Sequence, residues 1–378
     1  MNQRERWIAT VRGPNPDKVL FYPGGASRAA VDNWHRQGLP PGADWYETMK
    51  RELGIEYEPN AQEVQPEVKF GMVPGFEVKI IERRGHNILV QDSIGILCEI
   101  SAEHEDYVAR NKQFPDYIGV KYVKHPVETR DEWERMKTRY NVDDPGRFPA
   151  DFKERCRKMA MDRRTGVVGI GLSGVFWQMR DWMGLENFCI ALIEQPALVK
   201  EMIGFYETFC SAVLEKTVAQ VTVDWVQISE DMAYKGRSMI SPAMIREFLL
   251  PTWKRWCDIL KQSGCPMIYV DSDGYIAELI PLWIEAGINS NGPVEVAAGN
   301  DLAAYRKRFG MQMGYLGGID KRAIVQGGAA LKREMKRIKP VVKAGGYIPS
   351  CDHGIPPEVT WPGLLDYCRE LARLTGWL

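Results

Sequence analysis

The sequence predicts an α/β chain whose parallel strands close into a (β/α) barrel, and three observations predict it. Short apolar strand segments alternate with amphipathic helices through the second half of the 378 residues. Glycine, proline and capping residues punctuate nearly every junction between them. Clusters of carboxylate, thiol and imidazole groups stand where three of the strands end. Alternation of this kind demands a parallel sheet, because each helix carries the chain back to the edge where the next strand starts.

Taken in order, residues 19–22 form the first expected strand. Residues 76–81 and 87–90 are alternating runs around Arg83-Arg84-Gly85-His86, a hairpin signature. We read it as an insertion at about residues 70–105 after the first barrel strand, within one domain spanning residues 1–378. Residues 167–172 form a strand, and a helical stretch over 186–220 breaks near Pro196. Residues 224–229 form a strand that ends at Glu230-Asp231. Ser241-Pro242 starts a helix, with a capping hydroxyl before a proline at the first helical position. Ile245, Phe248, Leu249, Trp256, Ile259 and Leu260 continue it at helical spacing, Pro251 should kink it, and Gly264 ends it.

Residues 266–270 are a strand running into Asp271-Ser272-Asp273-Gly274. Ile276, Leu279, Ile280 and Trp283 mark one helix face, stopped by Gly287. Strands follow at 288–294, 311–316 and 346–350, and helices at 301–309, 332–342 and 361–375, with Asn300 expected to cap the first of these. Seven strands are counted this way and an eighth inferred, which gives a (β/α)8 TIM-like barrel with an N-terminal β-hairpin insertion. An open doubly wound sheet is the alternative, but Gly169-Ile-Gly-Leu-Ser-Gly174 only approaches a nucleotide-binding glycine loop.

Composition narrows the function classes. A formal net charge of -1 offers no field for nucleic acid or an anionic membrane. The first residues lack a secretory apolar stretch, and no apolar run approaches about 18 residues, so a cytoplasmic protein is expected. Eight cysteines are scattered without a CxxC pair and read as reduced, buried thiols.

The strand ends carry the candidate chemistry, since a barrel of this type gathers its reactive groups there. Asp271 and Asp273 lie two apart, so both carboxylates face one side of an extended backbone. They suit a divalent cation or a shared proton, or else a turn before the next helix. Cys351 and His353 are spaced the same way. Thiolate and imidazole are good zinc ligands, and imidazole is the commonest acid or base near neutral pH. Glu230 and Asp231 follow a buried-type strand and suit acid/base or orienting roles, or helix capping. Trp177 and Arg180, after the 167–172 strand, suit the face of a flat substrate; core packing is the alternative for Trp177.

At this point the pattern resembles the uroporphyrinogen decarboxylase superfamily. Glu230-Asp-Met-Ala-Tyr-Lys-Gly-Arg-Ser-Met-Ile-Ser-Pro242 and Phe248-Leu-Leu-Pro251 are similar to its stretch after an internal strand. Asp271-x-Asp273-Gly, Glu285-Ala-Gly-Ile288, Tyr315-Leu-Gly-Gly-Ile-Asp-Lys321 and Gly345-Gly-Tyr-Ile-Pro-Ser-Cys-Asp-His-Gly-Ile-Pro356 follow in the family's order. The resemblance covers about residues 165–375 well and implies one distorted (β/α) barrel with two chemistries. One branch decarboxylates uroporphyrinogen without cofactor. The other, of methylcobamide:coenzyme M methyltransferases and corrinoid-dependent demethylases, moves methyl groups to or from a cobalamin held on a partner protein.

Departures choose between the branches. The decarboxylases carry Arg-Gln-Ala-Gly-Arg near the N-terminus to hold the porphyrinogen carboxylates. Here that region reads Tyr22-Pro-Gly-Gly-Ala-Ser-Arg28. Trp34-His-Arg-Gln-Gly-Leu-Pro40 and His125-Pro-Val-Glu-Thr-Arg-Asp-Glu-Trp133 look more like the methyltransferase-like branch. In that branch a His-x-Cys stands where this chain has Asp271-x-Asp273, and a further zinc-binding cysteine stands at Cys351.

The resemblance therefore implies a corrinoid-dependent methyltransferase demethylating a small methylated compound, a methoxylated aromatic among the candidates. Asp271, Asp273 and Cys351 would hold a divalent metal such as zinc. Glu230, Asp231 and His353 would be catalytic, and Trp177 and Arg180 would touch substrate. A small-molecule methyl donor and a corrinoid protein are the expected partners, and a homodimer is compatible with the chain. A cofactor-independent decarboxylase and a non-catalytic ligand-binding barrel are the alternatives.

Overall fold

A computed structural model describes residues 1–13, 16–55, 63–109, 119–161 and 166–378. The described chain groups into two compact units, one of residues 1–66, 153–171 and 218–378, the other of residues 67–152 and 172–217.

The first unit is built on a seven-stranded sheet in the order Glu63–Val64, Val167–Ser173, Trp225–Ser229, Met267–Asp271, Ser290–Gly292, Gly314–Ile319, Tyr347–Cys351. The registers that fix it are parallel: Asp271 stands beside Ser229 on one side and Gly292 on the other, and Cys351 beside Ile319. Consecutive strands are joined by helices, as the alternation demands. Ser241 caps its helix by accepting from Met244 N–H at 3.2 Å. The expected kink at Pro251 takes the form of a π-helical segment, Ile245–Leu249, directly before the helix Leu250–Gln262. The helix Leu302–Phe309 is capped by Asp301, not Asn300; the Asn300 Oδ1 instead accepts from Ile276 N–H and the Tyr305 hydroxyl.

The start of the chain braces the opposite end of the sheet. The helix Gln3–Arg12 opens on a capping box between Asn2 and Glu5. From it Arg4 grips buried Asp224 through two nitrogens at 2.6 and 2.9 Å, and Asp224 also accepts from Val168 N–H at 3.0 Å. Val11 packs under Gly314, where a Cβ would come within 2.7 Å of it.

The expected first strand at 19–22 is not formed. Val19, Leu20 and Phe21 are buried as a strand's residues would be. The next residues meet the last strand through Cys351 N–H to Pro23 O, and Ala26 makes one isolated parallel bridge with Ile355 beyond it. Pro23 has no N–H to give, and Gly24 at φ 110° leaves the extended region, so no ladder can run there. A closed barrel is therefore not seen among the described residues.

The expected hairpin is half of a larger element. Lys79–Arg84 and Asn87–Gln91 pair antiparallel, and Leu97–Ser101 and Lys121–Lys124 extend them to a four-stranded antiparallel sheet in the second unit. One face of it is packed: Ile88, Val90, Ile96, Cys98, Ile100 and Val108 form a buried cluster, while Gln91, Leu97 and Glu99 alternate onto the other face. The predicted break near Pro196 separates the helices Leu185–Glu194 and Pro196–Val218. No helix among the described residues is long and apolar enough to cross a membrane.

Candidate active site

Three strand ends of the first unit meet around Asp271. The strand Trp225–Ser229 ends and the chain reverses at once, with the N–H groups of Glu230 and Asp231 both bonded to the Asp271 carbonyl, at 2.9 and 3.1 Å. Asp231 takes the turn at φ 39°, a left-handed conformation that aspartate tolerates better than most side chains. Glu230 is fully buried and accepts from the Trp253 indole at 2.6 Å. That bond fixes Glu230 in the wall of the site.

Asp271 is the last residue of its strand, and Asp273 follows in the turn. Burial raises the Asp271 carboxyl from the ordinary 3.8 to about 6, helped by the charges of Asp273 and Asp231 and opposed by His353. Below it in the sheet, Tyr269 is buried and its hydroxyl held protonated by that burial. The turn is possible because of Gly274. Its φ is 79°, and a Cβ there would stand 2.5 Å from the Ala233 carbonyl oxygen. Gly274 N–H donates to Glu295 at 3.2 Å, and Glu295 also faces Lys321 at 3.8 Å.

His353 arrives from the last strand end. Its Nε2 lies 3.1 Å from Asp273 Oδ2, and this bond raises the imidazole's affinity for its proton. The other ring nitrogen, Nδ1, is buried with no hydrogen-bond partner among the described residues. The pair stays open to solvent, with side-chain exposures of 45% for Asp273 and 33% for His353. Asp352, between His353 and the strand, is fully buried and accepts from Val296 and Lys321 N–H, so it ties the turn rather than entering the site.

Asp231, Asp271, Asp273 and His353 are thus brought together, with Glu230 behind them. Cys351 is not. Its Sγ lies 3.9 Å from the Gly354 carbonyl, a Cβ on Gly24 would stand 3.1 Å from its own, and the charges that act on it are those of Asp352, Lys321 and Asp320. It sits beside Tyr367 of the helix Trp361–Thr375. Burial pushes its thiol up to about 12. Among the described residues no three His, Cys, Asp or Glu groups are placed to share a metal ion. The expected zinc set of Asp271, Asp273 and Cys351 therefore does not fit this arrangement.

Trp177 and Arg180 belong to the helix Val175–Met183 of the second unit. The Arg180 guanidinium stacks 4.6 Å from the Trp177 ring. The Trp177 indole bonds Asp181, whose carboxyl burial raises to about 7. Sequence reasoning missed Trp253, Tyr269 and Asp181; each is an ordinary core or helix residue by pattern, and only its neighbours make it notable.

What this arrangement can do is hold and deliver protons. Asp271 and the His353–Asp273 pair each keep a proton into the range where a cell works. Asp231, Asp271, Asp273 and Glu295 also make the strand ends predominantly anionic, a poor cradle for a polycarboxylate.

Comparison with known proteins comes to the same architecture. The family described as uroporphyrinogen decarboxylase (URO-D) matches residues 91–362. No curated protein matches the sequence. Among solved structures, a methyltransferase from Methanosarcina mazei superposes with a TM-score of 0.58 at 13% identity, covering 99% of each chain. A B12-independent methionine synthase from Shewanella sp. W3-18-1 covers 61% of this chain and 67% of its own at 12% identity and a TM-score of 0.38. Xylanase B from Clostridium stercorarium F9 covers 60% and 82% at 11% identity and a TM-score of 0.31.

Proposed function

Since the chain belongs to the uroporphyrinogen decarboxylase family, we propose that it is a corrinoid-linked methyltransferase, demethylating a small methylated compound such as a methoxylated aromatic. The observation that carries this reading is the His353–Asp273 pair at 3.1 Å beside Asp271, whose carboxyl titrates near 6. When a methyl group leaves an oxygen, the carbon–oxygen electron pair stays on the oxygen and needs a proton. Asp271, with imidazolium His353 beside it, supplies that proton, and Asp273 orients the imidazole. Asp231 tunes Asp271 by its charge, and Glu230 holds the turn.

A cobalt(I) corrinoid held on a partner protein would supply the nucleophile for the methyl group. Such a cofactor asks no metal ligand of this chain. It asks for a proton donor on an open face, which Asp271 beside the half-exposed His353–Asp273 pair provides. The fold shared with the Methanosarcina mazei methyltransferase over the length of both chains supports the reading. So do the phrases Trp34–Pro40 and His125–Trp133 noted above. Activation of the leaving group by a proton also agrees with strand ends that do not fit zinc.

The acid pair would equally protonate a carbanion left by decarboxylation, so the test has two arms. Purified protein is mixed with a reduced corrinoid protein and a panel of methoxylated aromatics, and loss of the cobalt(I) absorbance is followed. It is also assayed on uroporphyrinogen. We expect methyl transfer only with the corrinoid, and no coproporphyrinogen: the strand-end carboxylates repel that substrate, and Arg28 is 96% exposed and, among the described residues, paired only to Asp32. Demethylation without a corrinoid, or coproporphyrinogen formation lost on changing Arg28 or Arg36, overturns the proposal.

A further inference from the structure

The second unit contains a pocket that the strand-end chemistry does not use. Its volume is about 380 Å³, within the range of small-ligand sites. One wall is the open face of the antiparallel sheet, where Leu97 and Lys124 stand directly opposite each other. The facing wall is the helix Arg130–Lys137 and the turn after it, with Glu132, Arg135, Met136 and Arg139 at helical spacing. Phe76 closes the third side. Its ring packs over Gly95 (φ 92°), where a Cβ would come within 2.7 Å of it.

Three cations and one carboxylate line this space. Glu132 is fully occupied: it accepts from Lys124 at 2.6 Å and from Glu128 and Thr129 N–H at 2.9 and 3.0 Å. Lys124 is thereby neutralised. Arg139 lies 3.8 Å over the Phe76 ring and donates to the Pro74 and Gly75 carbonyls at 2.9 and 3.1 Å. Those contacts fix its position without cancelling its charge. Neither Arg135 nor Arg139 has a carboxylate partner among the described residues. Two unneutralised guanidinium groups over an apolar wall of Phe76, Leu97 and Met136 describe a complementary ligand: one anionic end and one apolar body.

We propose that this pocket binds a small organic carboxylate, with its carboxylate between Arg135 and Arg139 and its apolar body against Phe76, Leu97 and Met136. Carboxylate is preferred to inorganic phosphate because a phosphate would leave the apolar wall unused.

Calorimetric titration with benzoate, and separately with inorganic phosphate, tests this on the full chain. We expect benzoate to bind one to one with a Kd at or below about 1 mM, and more weakly as salt rises. Arg135→Gln should weaken it roughly tenfold, with no change in melting temperature because Arg135 is exposed and unpaired. Arg139→Gln should weaken it similarly; should that variant misfold, Arg135→Gln alone decides. No benzoate binding in the millimolar range overturns the site. Binding unchanged by Arg135→Gln but lost in Asp271→Asn would place it at the strand ends and also overturns the proposal. Phosphate binding as tightly as benzoate overturns the organic body.

Discussion

Replacing Asp271 by Asn should make the protein more stable and less active at once, with a pH dependence that identifies the cause. Folding lifts the Asp271 carboxyl from 3.8 to about 6 because burial and two neighbouring carboxylates disfavour its charge. The folded state therefore holds the proton more tightly than the unfolded chain. The associated stability is complete below pH 3.8, declines as pH rises through about 6, and is absent above. At face value the displacement corresponds to about 3 kcal/mol. Partial solvent access reduces that to roughly 1–2 kcal/mol.

Asparagine has the same shape and no charge to bury, so it escapes this loss. Above pH 7 Asp271→Asn should gain roughly 1–2 kcal/mol, and near pH 4.5 much less. For a chain of 378 residues this is a rise in melting temperature of about 1–3 °C. The rate of methyl transfer should fall about 100-fold or more, the usual contribution of a positioned acid. The assays are thermal melts at the two pH values and single-turnover methyl transfer. A melting temperature that falls at high pH, or shifts equally at both, would refute the electrostatic reasoning. A variant that keeps its full rate would refute the role as acid.

Three further outcomes follow from the same geometry. Asp273→Asn should lower the His353 pKa, read from its imidazole proton shifts by NMR. Because the partner raises that pKa, the pair's stability contribution is present at low pH and lost as pH rises through the folded value, so the variant should be destabilised most in acid. Cys351→Ser should keep its rate within about twofold, and chelators should not lower wild-type activity, since among the described residues Cys351 is not placed with two other groups that could share a metal ion; proportional loss of bound zinc and activity in this variant would restore the metal reading. Gly274→Ala should destabilise by roughly 2–4 kcal/mol in a denaturant melt, through the left-handed backbone and the collision with the Ala233 carbonyl.

How much of this was legible depends on the range of the interaction that decides each feature. Strand and helix order is set by local periodicity and punctuation, and both are written in adjacent residues. The break at Pro196 and the cap at Ser241 are therefore where the sequence places them. The first strand fails for a local reason the apolar run conceals. Residues 19–21 are buried like a strand, but Pro23 and Gly24 deny it a ladder, so burial and pairing separate. Asn300 and Asp301 are both good caps by type. The choice fell to Asp301 because Asn300 bonds Ile276 and Tyr305 across the fold, which no local signal reveals.

The site shows the same limit more sharply. Equal spacing suggested that Asp271 with Asp273, and Cys351 with His353, would each point one way. That parity belongs to extended backbone alone. Both strands end at the first member of the pair, at Asp271 and at Cys351. Beyond that point a turn decides direction. After Asp271 the turn is set by Gly274 against Ala233 and leaves both carboxylates close enough to repel. After Cys351 it is set by buried Asp352, which takes Val296 and Lys321 N–H and swings His353 onto Asp273 while the thiol stays against Gly24 and Tyr367. The convergence of two acids and an imidazole was thus readable from strand ends. Whether the fourth group joined them depended on a carboxylate bonding two distant amides. That one turn decides whether the thiol joins the two acids and the imidazole.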